Sequence, residues 1–176
     1  MILPKIEIKR ILYATDLSES ARNALAYAVS LANTYRAELT ILHVLTDDPR
    51  MNAAIMGFID EDKWEEIRNR NAQEARTALI GKKRENVEMR EVMEYFTETM
   101  MEDIGEHHVT MDETVIVRGN PVDKIVAVAN ERSCDLIVMG SYGHGGITGA
   151  IMGSTAQKVL RRSKKPVLVV HLPEEA

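Results

Sequence analysis

The sequence predicts an α/β fold, an open parallel sheet of five strands with helices on both faces. Three observations carry this. Five short apolar runs recur along the 176 residues. They do not alternate apolar with polar residues, which is the pattern of strands covered on both faces. Amphipathic stretches separate them, so strands and helices interleave, and that order builds a doubly wound sheet with right-handed crossovers.

Taken in order, Ile11–Ala14 is the first run, rich in strand formers. Ser18 to Tyr35 follows as a helix, with Ala21, Ala24, Leu25, Ala28, Ala32 and Tyr35 at three- and four-residue spacings. Leu39–Leu45 is the second strand. The stretch from about Thr46 to Thr110 is longer than a simple crossover. Within it, Asp47–Gly57 reads as a loop with exposed methionines and Asp60–Arg84 as helix. Glu85–His108 reads as further helix, with a break near Asn86. Val115–Val117 is the third strand. Asn120-Pro121-Val122-Asp123 starts a helix, with Asn at the cap, Pro at the first position and an acid in the first turn. Val122, Ile125, Val126 and Ala129 mark its buried stripe. Leu136–Met139 is the fourth strand. Ser154 begins the last helix with capping-box spacing to Gln157. Arg161-Arg162 suit its C-terminal end, Pro166 prevents its continuation, and Val167–Val170 is the fifth strand.

Composition bounds the function. Hydrophobic residues are 45% and charged residues 28% of the chain, a globular mix that excludes collagen, coiled coil and wholesale disorder. One domain over residues 1–176 is expected, with 46–110 as a variable helical segment between strands two and three. The apolar runs are far shorter than the ~20 residues of a membrane span. Met1 to Arg10 lacks the apolar stretch of a signal peptide, and a lone Cys134 fits a reducing, cytoplasmic setting. The net charge of −5, with no basic stripe, argues against a nucleic-acid partner. Any anion must therefore be held by a local device.

The stretch Gly140 to Ser154 is that device. It leaves the fourth strand and ends at a helix start, where an open α/β sheet binds ligands. Glycines let backbone N–H groups approach an anion, and the helix start adds unpaired N–H groups and the positive end of its dipole. No Lys or Arg occurs from Ser133 to Gln157. A loop of this kind also makes turns with no ligand at all. The P-loop pattern is absent. A dinucleotide fingerprint is half mimicked by Gly143, Gly145 and Gly149, but after the wrong strand and with too little chain beyond it.

A third pattern fits: Gly140-x2-Gly143-x9-Gly153-Ser154, or G-x2-G-x9-G-[ST]. Here the chain resembles the ATP-binding branch of the universal stress protein family. Arg10 to Ser18 is similar to that family's opening strand and turn, and Leu42-His43-Val44 to the end of its second strand. Asp135 to Ser141 and Lys165 to Val170 resemble its last two strands. The resemblance implies a sheet of order 3-2-1-4-5, the adenine nucleotide alpha hydrolase-like arrangement. It also implies roles. Asp16 would hydrogen-bond adenine or ribose beside Ala14 and Thr15. Val44 would line the adenine pocket, with Met139 near the base. Gly140, Tyr142 and Gly143 would flank the ribose and first phosphate, and Gly153, Ser154 and Thr155 would hold the outer phosphates.

Plainer roles stand beside these. Asp16 could cap the following helix, Val44 could be core, and His43 a satisfied polar group. His107-His108 have poor spacing for a metal, and Cys134 reads as a buried thiol. Relatives often carry Lys or Arg within the loop where this chain has Gly145, Gly146 and Gly149. That departure implies a less charged ligand than ATP, such as ADP or AMP, or a magnesium ion bridging the phosphates. The family also implies a homodimer through Val167–Val170, an apolar edge strand; the alternative is a monomer in which the tail Leu172–Ala176 covers that edge. The implied function is an ATP-binding, nucleotide-dependent stress-response or signalling module, with ADP or AMP as the less charged alternatives and no catalytic residue evident. A slow ATPase or self-phosphorylating protein, and a nucleotide-free interaction domain of the same fold, are the alternatives; the intact glycine pattern speaks against the last.

Overall fold

The computed structural model describes residues 5–46, 59, 61–74, 81–105, 109–143 and 152–172. Five strands, β1 (Arg10–Thr15), β2 (Glu38–Leu45), β3 (Thr110–Arg118), β4 (Leu136–Gly140) and β5 (Val167–Val170), pair in parallel in the order β3-β2-β1-β4-β5. The helices are α1 (Glu19–Tyr35), α2 (Glu61–Glu74), α3 (Gly81–Ile104), α4 (Pro121–Glu131) and α5 (Ser154–Arg162). The expected order is the observed one. β1 and β4 are neighbours, with Ala14 beside Met139, so the chain reverses its direction of growth between them. Such a switch point opens a crevice at the carboxyl ends of the strands.

The two faces of β1 sort its residues. Ile11 and Tyr13 join Ala24, Leu25 and Ala28 of α1 and Val92, Met93 and Phe96 of α3 in one core. Leu12 and Ala14 join Val122 and Ile125 of α4 and Ala156 and Val159 of α5 in the other. Both sides of the central strand are therefore dry, as its unbroken apolar run demands. Tyr13 sits fully buried because its hydroxyl donates to the Ala21 carbonyl at 2.7 Å.

Helix ends follow local chemistry. The Ser18 side chain caps α1 by accepting from the Ala21 amide, and Arg36 closes that helix in a left-handed turn at φ 53°. Asn120 caps α4 through the Asp123 amide, with Pro121 at the first helical position. The second matches the sequence reading; the first gives Ser18 the cap that the sequence left open to Asp16.

Four readings need correction. Val128, not Val126, completes the buried stripe of α4 with Val122, Ile125 and Ala129. α3 runs unbroken through Asn86. Its later residues Met89, Val92, Met93 and Phe96 repeat at helical spacing and are buried, and that burial outweighs the small helix penalty of one Asn. β3 begins at Thr110 rather than Val115. It is an edge strand whose outer half is exposed and charged, so an apolar-run search finds only its inner half. Asp112 and Glu113 there are paired with Arg132, and Asp112 accepts from Thr40. Finally, Ser154 does not cap α5: Gly153 does, in extended conformation, and Ser154 is the first helical residue. The Gly153 amide is tied to the Ser141 carbonyl at 2.7 Å, which fixes Gly153 outside the helix. Gln157 donates to the Met152 carbonyl instead of closing a capping box.

Ile59 and Ile67 carry the variable segment into the first core. The methionine-rich stretch Met51–Phe58, His107-His108 and the loop centre with His144, Gly145, Gly146 and Gly149 lie outside the described residues. Among the described residues no helix is long and apolar enough to cross a membrane.

Candidate functional site

The turn after β1 is held by its own side chains. The Leu17 amide donates to Thr15 Oγ1 at 3.0 Å, and the Ser18 amide donates to Asp16 Oδ1 at 3.1 Å. Leu17 is buried in the left-handed region at φ 67°. Asp16 thus shapes the turn, while the cap of α1 is Ser18; the capping role open to Asp16 is taken by its neighbour.

The second wall comes from β4. A Cβ on Gly140 would lie 2.7 Å from Ser20 Oγ and 2.8 Å from the Ala21 amide nitrogen, so only glycine lets β4 pass the start of α1. Beyond it, Ser18 Oγ donates to the Tyr142 carbonyl at 3.4 Å. At Gly143 the two walls meet: a side chain there would overlap Asp16 Oδ2.

The floor is apolar. Ala14, Val44 and Met139 are buried in one cluster, with Met152 packed against it. The third wall is the start of α5. Gly153 follows Met152, and no side chain caps the helix that Ser154 and Thr155 begin. A Cβ on Gly153 would stand 3.1 Å from both the Ser141 carbonyl oxygen and Tyr142 Cα. The fold therefore gathers every residue singled out in the sequence, Ala14, Thr15, Asp16, Val44, Met139, Gly140, Tyr142, Gly143, Gly153, Ser154 and Thr155, at one end of the sheet.

The chemistry of this end is specific in kind. It offers an apolar floor, a carboxylate that accepts from hydroxyl or amine donors, and helix-start amides with a positive dipole end for an anion. Among the described residues no cluster of three or more His, Cys, Asp or Glu side chains could hold a metal ion.

Four residues were not assigned a place here from sequence. Ser18 links the two walls. Ser20 Oγ accepts from the Ser141 amide at 3.0 Å. The Ser141 amide also donates to Val170 at 2.8 Å, joining the loop to the end of β5. His43 places Nδ1 3.0 Å from the Thr15 carbonyl oxygen. The serines within the Asp16–Ser20 and Gly140–Gly143 stretches were the visible signal; the contact of His43 depends on strand register, which no local pattern encodes.

Comparison with known proteins agrees with the fold. The family model described as "Universal stress protein family" matches residues 7–171. The chain belongs to the universal stress protein family. Universal stress protein MJ0577 of Methanocaldococcus jannaschii is 29% identical, over 92% of this chain and 94% of that protein. Universal stress protein YxiE of Bacillus subtilis is 32% identical, over 92% of this chain and 97% of its own length. The solved structure of MJ0577 superposes with a TM-score of 0.60, covering 97% of this chain and all of that one. Two universal stress protein structures of the same fold contain nucleotides. One is a complex with cAMP (24% identity, TM-score 0.59, covering 94% of this chain and 98% of that one). The other, from Archaeoglobus fulgidus, is a complex with dAMP (20% identity, TM-score 0.54, covering 94% of this chain and 99% of that one).

Proposed function

We propose that this universal stress protein binds an adenine nucleotide in the crevice between the β1 and β4 ends and works as a nucleotide-dependent stress-response or signalling module. The observation that carries the reading is the meeting of Asp16 with Gly143 beside a helix start that no side chain caps. Ala14, Val44 and Met139 face the base, and Asp16 accepts from adenine or ribose. Gly140, Tyr142 and Gly143 flank the ribose and first phosphate. Gly153, Ser154 and Thr155 receive the outer phosphates of ATP, ADP or AMP. The amides do this without a cation, so magnesium strengthens the longer phosphate chains most. Nucleotide complexes of two proteins with this fold support the reading.

The same reading includes a homodimer through β5. That strand is apolar and lies at the sheet edge, and an open edge of this kind invites pairing with a second copy.

The deciding experiment is thermal unfolding with ATP, ADP, AMP and NAD, each with and without magnesium. Ligand at 100 times Kd stabilises by about 2.7 kcal/mol, which raises the midpoint of a chain of this size by about 5–10 °C. No rise with any adenine nucleotide would leave the reading without support. Light scattering that found only monomer at micromolar concentration would remove the dimer from it.

A further inference from the structure

We propose that His43 is a positioning residue for the nucleotide site, setting the place of the Asp16 carboxylate through the Thr15 carbonyl. The inference rests on the nucleotide reading above and extends it to a residue outside the crevice. His43 is 1% exposed on β2, and its backbone lies in register with Thr15. Its Nδ1 stands 3.0 Å from the Thr15 carbonyl oxygen. A carbonyl only accepts, so Nδ1 carries the proton and donates.

The place of this bond matters because Thr15 ends β1, and the pairing of β1 with β4 stops one residue earlier at Ala14. The next residues enter a costly conformation. Leu17 is left-handed at φ 67°, a state that persists in a leucine only where its surroundings hold it. Asp16 lies between the held carbonyl and that leucine. One carboxylate oxygen is engaged by the Ser18 amide and the other faces Gly143. The ring thus anchors the upstream end of a turn whose downstream end is anchored by Ser18. The neighbours of His43 on the strand, Leu42 and Val44, are buried and apolar, and an apolar residue would occupy its place without burying a polar ring. The hydrogen bond to the Thr15 carbonyl gives the imidazole a use at this position.

The test compares His43→Leu with His43→Asn in the full chain, reading ADP-magnesium affinity by calorimetry and stability by urea unfolding. Leu fills the space without a donor; Asn restores a donor near the Nδ1 position but packs less well. Expected is ADP affinity about tenfold weaker in His43→Leu, and within about threefold of wild type in His43→Asn, the size of one lost and one restored hydrogen bond. A packing role alone predicts the reverse ranking, with affinity following stability. Wild-type affinity in His43→Leu, or no recovery in His43→Asn, overturns the proposal. A ligand-free crystal structure of His43→Leu supplies a readout that needs no nucleotide. Asp16 still lying against Gly143 in it overturns the proposal. Asp16 displaced there, with wild-type protein that binds no ADP, supports the positioning role and defeats the nucleotide reading alone.

Discussion

The Asp16 carboxylate stands against the Cα of Gly143, so closely that any side chain at 143 would overlap Oδ2. One residue belongs to the turn after the first strand and the other to the loop after the fourth. Their contact joins the segments that follow two strands, β1 and β4, which are adjacent only because the sheet reverses its order there.

Gly143→Ala tests that contact directly. The obstacle is the end of a side chain, which can swing aside, so the fold should survive with a midpoint loss of no more than about 4 °C. The carboxylate would leave its place, and adenine nucleotide affinity should fall by about tenfold or more, the value of a lost charge-assisted hydrogen bond. Calorimetry with ADP checks this; unchanged affinity would show that the placement of Asp16 does not matter to binding.

Gly140→Ala should behave in the opposite way. Its Cβ would lie 2.8 Å from the Ala21 nitrogen and 2.8 Å from the Ser20 carbonyl carbon, and this backbone at the start of α1 cannot swing aside. Overpacking of this kind costs about 1–3 kcal/mol of global stability. Urea unfolding measures it, and a wild-type midpoint would contradict the close approach of β4 to α1.

Ser18 has two tasks that can be separated. Ser18→Ala should cost about 1 kcal/mol through the lost cap. Ser18→Asp should recover most of that, because a carboxylate also accepts from the Ala21 amide. An ionised Asp cannot donate to the Tyr142 carbonyl, so the link between the two walls stays broken in it. Hydrogen exchange at Tyr142 and Gly143 should remain faster than wild type in both variants, and slow exchange in Ser18→Asp would refute that link.

Stability should decline at alkaline pH in two steps. Burial above all raises the pKa of the Cys134 thiol and, more strongly, that of the Tyr13 hydroxyl. A group whose folded pKa lies above its unfolded value stabilises fully below the unfolded value and loses that contribution as pH rises beyond it. The unfolded values are about 8.5 for Cys and about 10 for Tyr, so the first loss belongs to Cys134 and the second to Tyr13. Urea unfolding from pH 7 to 11 should show Cys134→Ala removing the first decline and Tyr13→Phe the second. At pH 7 Tyr13→Phe should cost about 1 kcal/mol for its hydrogen bond to Ala21. A slope unaltered by either change would locate the alkaline sensitivity elsewhere.

Local order was readable from the chain. Asn120 followed by Pro121 favours a helix start through neighbouring groups alone, the Asn120 side chain accepting from the Asp123 amide, and the structure starts α4 there. The unbroken run Ile11–Ala14 demands cover on two sides and receives it. The glycine spacing from Gly140 to Ser154 pointed to a loop at the strand ends, and the described part of it lies there. Readings failed where a distant contact overruled a local pattern. Ser154 carries a capping sequence, yet the Gly153 amide bonds to Ser141 and moves the cap back by one residue. The charged half of β3 has no strand signature, since Arg132 and Thr40 of other elements engage its charges.

The sequence by itself determined where most strands and helices fall, and it marked one glycine-rich stretch after the fourth strand, because propensity, capping and backbone freedom are properties of a few neighbouring residues. Only the tertiary structure decided that Asp16 meets Gly143 and that His43 meets Thr15. Those meetings depend on which strands lie side by side and in what register. Packing of the whole sheet against its helices fixes both, and no short stretch of chain contains that information.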